Sequence, residues 1–132
     1  MLTRVPSTLP PDVDAVMFRV IGAAIEVHRH LGPGFLESIY QRALCIELGE
    51  RGMSFATKKR IAVIYKGRTL DGQELDLVVD SRVVVEVKAV SSLLEIHASQ
   101  LVSYMKATGL RAGLLINFNV PVLKAGIRRI VL

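Results

Sequence analysis

The sequence predicts a single α/β domain, a mixed β-sheet flanked by helices. Three observations carry this. Two stretches of helical periodicity open the chain, β-forming runs follow, and a third helical stretch separates two of the most apolar runs. The length, 132 residues, is that of one ordinary domain. A hydrophobic content of 51% supplies a core and argues against disorder.

The elements follow in order. Residues 1–11 hold three of the five prolines and read as a flexible N-terminal arm, leaving residues 12–132 as the domain. Val13 to His30 carries Val16, Met17, Val20, Ile21, Ala24, Ile25 and Val27 at helical spacing, with Asp12 as N-cap. Gly32-Pro33-Gly34 breaks the chain; without the lysine and the preceding strand of a phosphate loop, it is a turn between helices. A second helix runs from about Phe35 to Arg51 and stops at Gly52. Strands are expected at Ile61–Tyr65, Glu74–Val79 and Val83–Lys88, with turns at Lys66-Gly67-Arg68 and Asp71-Gly72. Leu93 to Thr108 is helical, ending at Gly109, and strands at Leu110–Phe118 and Ile127–Leu132 close the chain. The crossover helix makes the Val83 and Leu114 strands parallel neighbours.

The net charge is +5 and the pI about 9.7. Such a basic excess suits a polyanion such as DNA or RNA, or merely a solvated surface. The candidate contacts are Lys58-Lys59-Arg60, Lys66 and Arg68. A lone cysteine, Cys45, excludes an internal disulfide, makes cysteine-based zinc binding implausible, and fits a cytoplasmic location; its neighbours suggest a small core residue. No run is long and apolar enough for a membrane span, and no signal peptide is read.

Glu86 and Lys88 need an explanation. They share one face of the most apolar strand, Val83-Val84-Val85-Glu86-Val87-Lys88. Burying an unpaired charge costs several kcal/mol. Either the two form a structural salt bridge near the strand end, or they belong to a site that holds a divalent cation beside a lysine. Mg²⁺ or Mn²⁺ takes oxygen ligands, commonly one or two carboxylates with water and phosphate. The second carboxylate is Asp76 on the preceding strand, provided that the hairpin is not a plain two-residue turn. That turn at Asp80-Ser81 would pair Asp76 with Val85 and oppose the two acids. A three-residue loop, or a bulge, pairs Asp76 with Glu86 on one face.

Asp76 followed ten residues later by Glu86-Val87-Lys88 resembles the D…(D/E)-x-K signature of the PD-(D/E)xK nuclease superfamily. Gly34-Phe35-Leu36-Glu37-Ser38-Ile39-Tyr40 matches G-x-x-E-x-x-Y, so the chain resembles the GxxExxY family of that superfamily, from about Asp14 to Val131. His97-Ala98-Ser99-Gln100-Leu101 and Leu114-Leu115-Ile116-Asn117-Phe118 belong to the similarity. The resemblance implies a restriction-endonuclease-like fold and metal-dependent hydrolysis of nucleic acid. Asp76, Glu86 and Glu37 would gather Mg²⁺ or Mn²⁺, Lys88 would orient the attacking water and face the phosphate, and Gln100 would lie beside the site. Before Asp76 the family leads one to expect an aromatic and a basic residue; this chain has Gln73 and Glu74.

Taken alone, Glu37 is equally an acidic residue favoured in a helix's first turn. Tyr40 reads as a core-edge residue whose hydroxyl needs a partner. His97, Gln100 and Tyr104, spaced to share a face, read as helix-surface polar groups that approach the site only because their helix directly follows Lys88. His28 either bonds within the core or approaches the acidic cluster. Two rival readings stay open: a catalytically silent module of the same fold that binds nucleic acid or a protein partner, with room for a homodimer, and a buried stabilising network of Asp76, Glu86 and Lys88.

Overall fold

A computed structural model describes residues 8–132. The order is α1 (Pro11–Leu31), α2 (Glu37–Glu50), β1 (Phe55–Tyr65), β2 (Arg68–Val79), β3 (Val83–Lys88), α3 (Glu95–Thr108), β4 (Ala112–Asn117), a short 3₁₀ turn (Leu123–Gly126) and β5 (Ile127–Val131). The five strands form one sheet in the order β1-β2-β3-β4-β5. Only β3 and β4 are parallel, joined through α3 as the crossover requires.

Strand alternation sorts the core into two layers. Leu77, Val79, Val83, Val85, Val87, Leu114 and Ile116 face α1 and α2, meeting Met17, Val20, Ala24, Tyr40 and Leu44. Val78, Val84 and Leu115 face α3, meeting Leu101, Tyr104 and Met105. The crossover helix lies close to the sheet because β4 carries Gly113 there. A Cβ on Gly113 would stand 2.6 Å from Met105 Sδ.

Several sequence expectations change. Most of the expected 1–11 arm, residues 1–7, lies outside the described residues; Leu9 is buried in the core and Pro11 already opens α1. Asp12 is not the N-cap. It sits in the first turn of α1 and accepts a hydrogen bond from Arg82 at 2.9 Å. The β1–β2 hairpin is longer than the predicted strands: residues 55–60 of β1 and 68–73 of β2, almost wholly exposed and without apolar alternation, also pair. Its tip is the two-residue turn Lys66-Gly67, between the paired Tyr65 and Arg68. Asp71-Gly72, expected as a turn, lies inside β2. The register passes from Ile61↔Gln73 to Val63↔Leu70, so these two residues face Ala62 alone and form a bulge. Gly72, at φ 110°, supplies the backbone that it needs.

The β2–β3 connection decides whether the two acids meet. Asp80 and Ser81 both have positive φ, and the Arg82 N–H donates to the Val79 carbonyl at 3.0 Å. Arg82 is then an extra residue, and the strands pair as Val79↔Val83, Val78↔Val84 and Leu77↔Val85. Asp76 therefore falls opposite Glu86. The Asp80 carboxylate fixes the turn by accepting from the Ser54 N–H and hydroxyl at 3.1 and 2.7 Å.

Candidate active site

The β2–β3 ladder ends at Leu77↔Val85. In an undisturbed antiparallel ladder the Val87 N–H would turn to the backbone opposite. Instead it donates to Asp76 Oδ2 at 2.9 Å, and the Asp76 N–H donates to Glu86 Oε1 at 3.2 Å. Each strand's acid thus replaces the neighbouring strand's backbone as hydrogen-bond partner, and the strands part around two carboxyl groups.

β2 also turns over at this point. Leu75 and Leu77 are two apart and would normally share a face, yet Leu77 packs with the α1–α2 layer and Leu75 with the α3 layer. Opposite Asp76 in the β1 register stands Lys58, a non-glycine residue at φ 49°. Both strands twist through the same position, which puts Asp76 between the layers.

The electrostatics record the crowding. Glu86 is only 4% exposed. Burial first, then the charge of Asp76 and a hydrogen bond to its side chain, push the Glu86 carboxyl up to about 8; the Asp76 N–H and Lys88 oppose the shift. Lys88, half-buried at the end of β3, acts on both Glu86 and Glu37. Burial also raises the Glu37 carboxyl, with Lys88 and His97 lowering it and Asp76 raising it further. Asp76, Glu86, Lys88 and Glu37 therefore form one electrostatic group drawn from β2, β3 and α2. Among the described residues no three His, Cys, Asp or Glu side chains are gathered closely enough to hold a metal ion unaided; the tight pair is Asp76 and Glu86.

Tyr40 explains how Glu37 arrives there. Its ring is fully buried and stacks on Phe118 at 4.7 Å. Its hydroxyl donates to the Gly32 carbonyl and accepts from the Phe35 N–H at 3.1 Å. The last residue of the G-x-x-E-x-x-Y motif thus closes the loop that starts α2 and sets Glu37 in its first turn. Tyr40 is wholly core, and its role is positional.

α3 lines the other side. Tyr104 is 6% exposed rather than a surface polar group, and its hydroxyl accepts from Gln73 Nε2 at 2.7 Å. Burial, then Glu86 and Asp76, raise its phenol. Gln73, the departure from the family's look, is thus the partner of a buried tyrosine beside the acids. His97 Nδ1 accepts from the Leu94 N–H at 2.9 Å, capping α3 and leaving Nε2 to carry the neutral ring's proton. Gln100 is exposed and forms no side-chain hydrogen bond among the described residues, because Leu101 beside it takes the core-facing position. His28 does not approach the acids: Nε2 pairs with the Val120 carbonyl at 2.8 Å.

Asn117 was not singled out as a site residue, yet it shapes the approach. Buried at the end of β4, it accepts from the Val90 and Asn119 N–H groups at 3.0 and 3.2 Å, and donates to the Val90 carbonyl at 2.9 Å. It pins the segment between Lys88 and α3. Its signal was a polar residue closing an apolar strand. The basic residues do not form one patch. Lys58 stands opposite Asp76, Lys59 and Arg60 follow along β1, and Lys66 and Arg68 sit at the far hairpin tip. Arg60 lies 3.9 Å from Glu74, and Lys66 lies 5.5 Å from the Tyr65 ring centroid.

A mixed sheet with helices on both faces, parted at an acid pair from adjacent strands with a lysine two residues on, defines a restriction-endonuclease-like domain. A family model described as the PD-(D/E)XK nuclease superfamily matches residues 14–130, and the chain belongs to that superfamily. Neither the curated proteins nor the solved structures hold a match. No described helix is long and apolar enough to cross a membrane.

Proposed function

We propose that the protein hydrolyses phosphodiester bonds of nucleic acid at a divalent metal held by Asp76 and Glu86, with Glu37 joining the acidic cluster directly or through water. The observation that carries this reading is the replacement of sheet hydrogen bonds by two opposed carboxyl groups. Burial first, and then repulsion from Asp76 once both ionise, push the Glu86 carboxyl up to about 8, so it holds a proton near neutral pH. The donor set fits a hard cation such as Mg²⁺ or Mn²⁺, which prefers carboxylate oxygen and relieves that repulsion. When bound, the ion would polarise the phosphate and lower the pKa of a water.

The chain's own groups supply the rest. Lys88 places a point charge beside the acids, suited to orienting the water and to the phosphate of the bond to be cut. Tyr104, held by Gln73, walls the acids from the α3 side, and His97 lies close enough to act electrostatically on Glu37. Lys58, nearest the acids, with Lys59 and Arg60 farther along β1 and Lys66 and Arg68 at the tip as separate cations, would contact the nucleic-acid backbone, so affinity should fall with salt. The test is cleavage of DNA and RNA with Mn²⁺ or Mg²⁺. Cutting that disappears in Glu86→Ala supports the proposal; no cutting by wild type, or equal cutting by both, removes it.

A further inference from the structure

We infer that the cleft between α2 and the root of the β1–β2 hairpin binds one unpaired nucleotide of a single-stranded nucleic acid and sets its phosphate beside Asp76. This rests on the nuclease reading and names the substrate class of the same site.

The cleft has a volume of about 480 Å³ and is bordered by Arg42, Cys45 and Ile46 on α2 and by Lys58, Asp76 and Leu77 on the strands. A cavity of this size encloses a single small organic group, not a duplex. Its walls divide by chemistry. Cys45 and Ile46 give an apolar surface against which a base can lie, backed by the buried Leu77, and Ile46 is 66% exposed. Arg42 and Lys58 supply cations, and among the described residues neither forms an ion pair, so both are free for phosphate oxygens. Glu74 also borders the cleft, but its carboxylate lies toward Arg60.

Two features tie the cleft to the reacting centre. Asp76 belongs both to its wall and to the acid pair. Lys58 adopts φ 49° opposite Asp76, a conformation that costs a non-glycine residue energy and is often found where a side chain is aimed at a ligand. A base in a duplex is stacked and paired and cannot reach into such a recess, whereas an unpaired base can be splayed out and held by its faces.

Cys45 is the sole cysteine and lines the cleft, so it reports occupancy without catalysis. Burial raises its thiol, so alkylation is run at mildly alkaline pH. The rate is measured without divalent cation, with a short single-stranded oligodeoxythymidylate, with the matching oligouridylate, and with a duplex of equal length. With the single strand present at about four times its dissociation constant or more, alkylation should slow about fivefold or more, as occupancy requires. The duplex should leave the rate unchanged. Arg42→Glu combined with Lys58→Glu should abolish protection while melting as wild type. Protection by either sugar supports the site, and the ratio of the two tells DNA from RNA. No protection by single strands, or equal protection by the duplex, overturns it. The cleavage assay separates the two claims: protection without cutting keeps the cleft and removes hydrolysis, whereas duplex cutting without protection removes the cleft alone.

Discussion

The two edges of β3 behave differently. Toward β4 the parallel register runs unbroken from Val83↔Ala112 to Lys88↔Asn117. Toward β2 it gives out after Val85, and carboxyl groups take over the bonding. One edge is structure, and the other is a place where the sheet's own hydrogen bonds have been exchanged for ionisable groups. A buried carboxyl is tolerated on β3 because the opened edge provides an N–H donor for it, that of Asp76, and room for a counter-charge.

Substitutions on the two edges should have different consequences. The largest effect is expected on the open edge. Asp76→Ala or Glu86→Ala should lower metal-dependent cleavage by about 10²–10³-fold, the size seen when a key electrostatic group is removed, while circular dichroism shows a native fold. On the closed edge, Leu115→Ala should cost roughly 2–5 kcal/mol of stability by chemical denaturation, with the cleavage rate of the folded fraction retained.

Next comes pH. The folded-state value of Glu86, about 8, lies above the ordinary 4.5. The folded protein therefore binds this proton more tightly than the unfolded chain. The stabilisation is fully present below about pH 4.5 and is lost as pH rises through about 8, a change on the order of a few kcal/mol. Glu86→Gln should flatten that slope and raise the melting temperature at pH 8 without metal, whereas a merely stabilising network would lose stability. Tyr40→Phe should cost about 1–3 kcal/mol, since it strands the Gly32 carbonyl and the Phe35 N–H, and should slow cleavage through a displaced Glu37. The smallest effect falls on the hairpin surface: Glu74→Ala removes only an exposed 3.9 Å contact with Arg60 and should shift stability by less than about 1 kcal/mol.

How much the sequence disclosed follows the same division. The helices, β3 and the parallel β3–β4 pairing were legible because burial forces periodicity, as in Met17, Val20 and Ala24 or Val83 to Val87. The acid pair was legible because Glu86 broke an apolar run. The β1–β2 arm was legible in part: the runs Ile61–Tyr65 and Glu74–Val79 and the turn between them were read as such, whereas residues 55–60 and 68–73 were not, because they are almost wholly exposed and show no apolar alternation. The turnover at Lys58 and Asp76 left no local mark either. A positive φ at lysine is set by tertiary twist, not by propensity. Tyr104 looked like a surface group because its partner Gln73 lies 31 residues away in sequence. Gln100 was named through resemblance, and it lies exposed on α3.

The most direct measurement is calorimetric titration of Mn²⁺ into the protein at pH 7 in buffers of differing ionisation enthalpy. The account predicts saturable binding that releases about one proton per ion, as the raised Glu86 carboxyl must ionise to become a ligand, and that is lost in Asp76→Asn and Glu86→Gln. Absence of binding, or binding that survives both substitutions with its proton release intact, would contradict it.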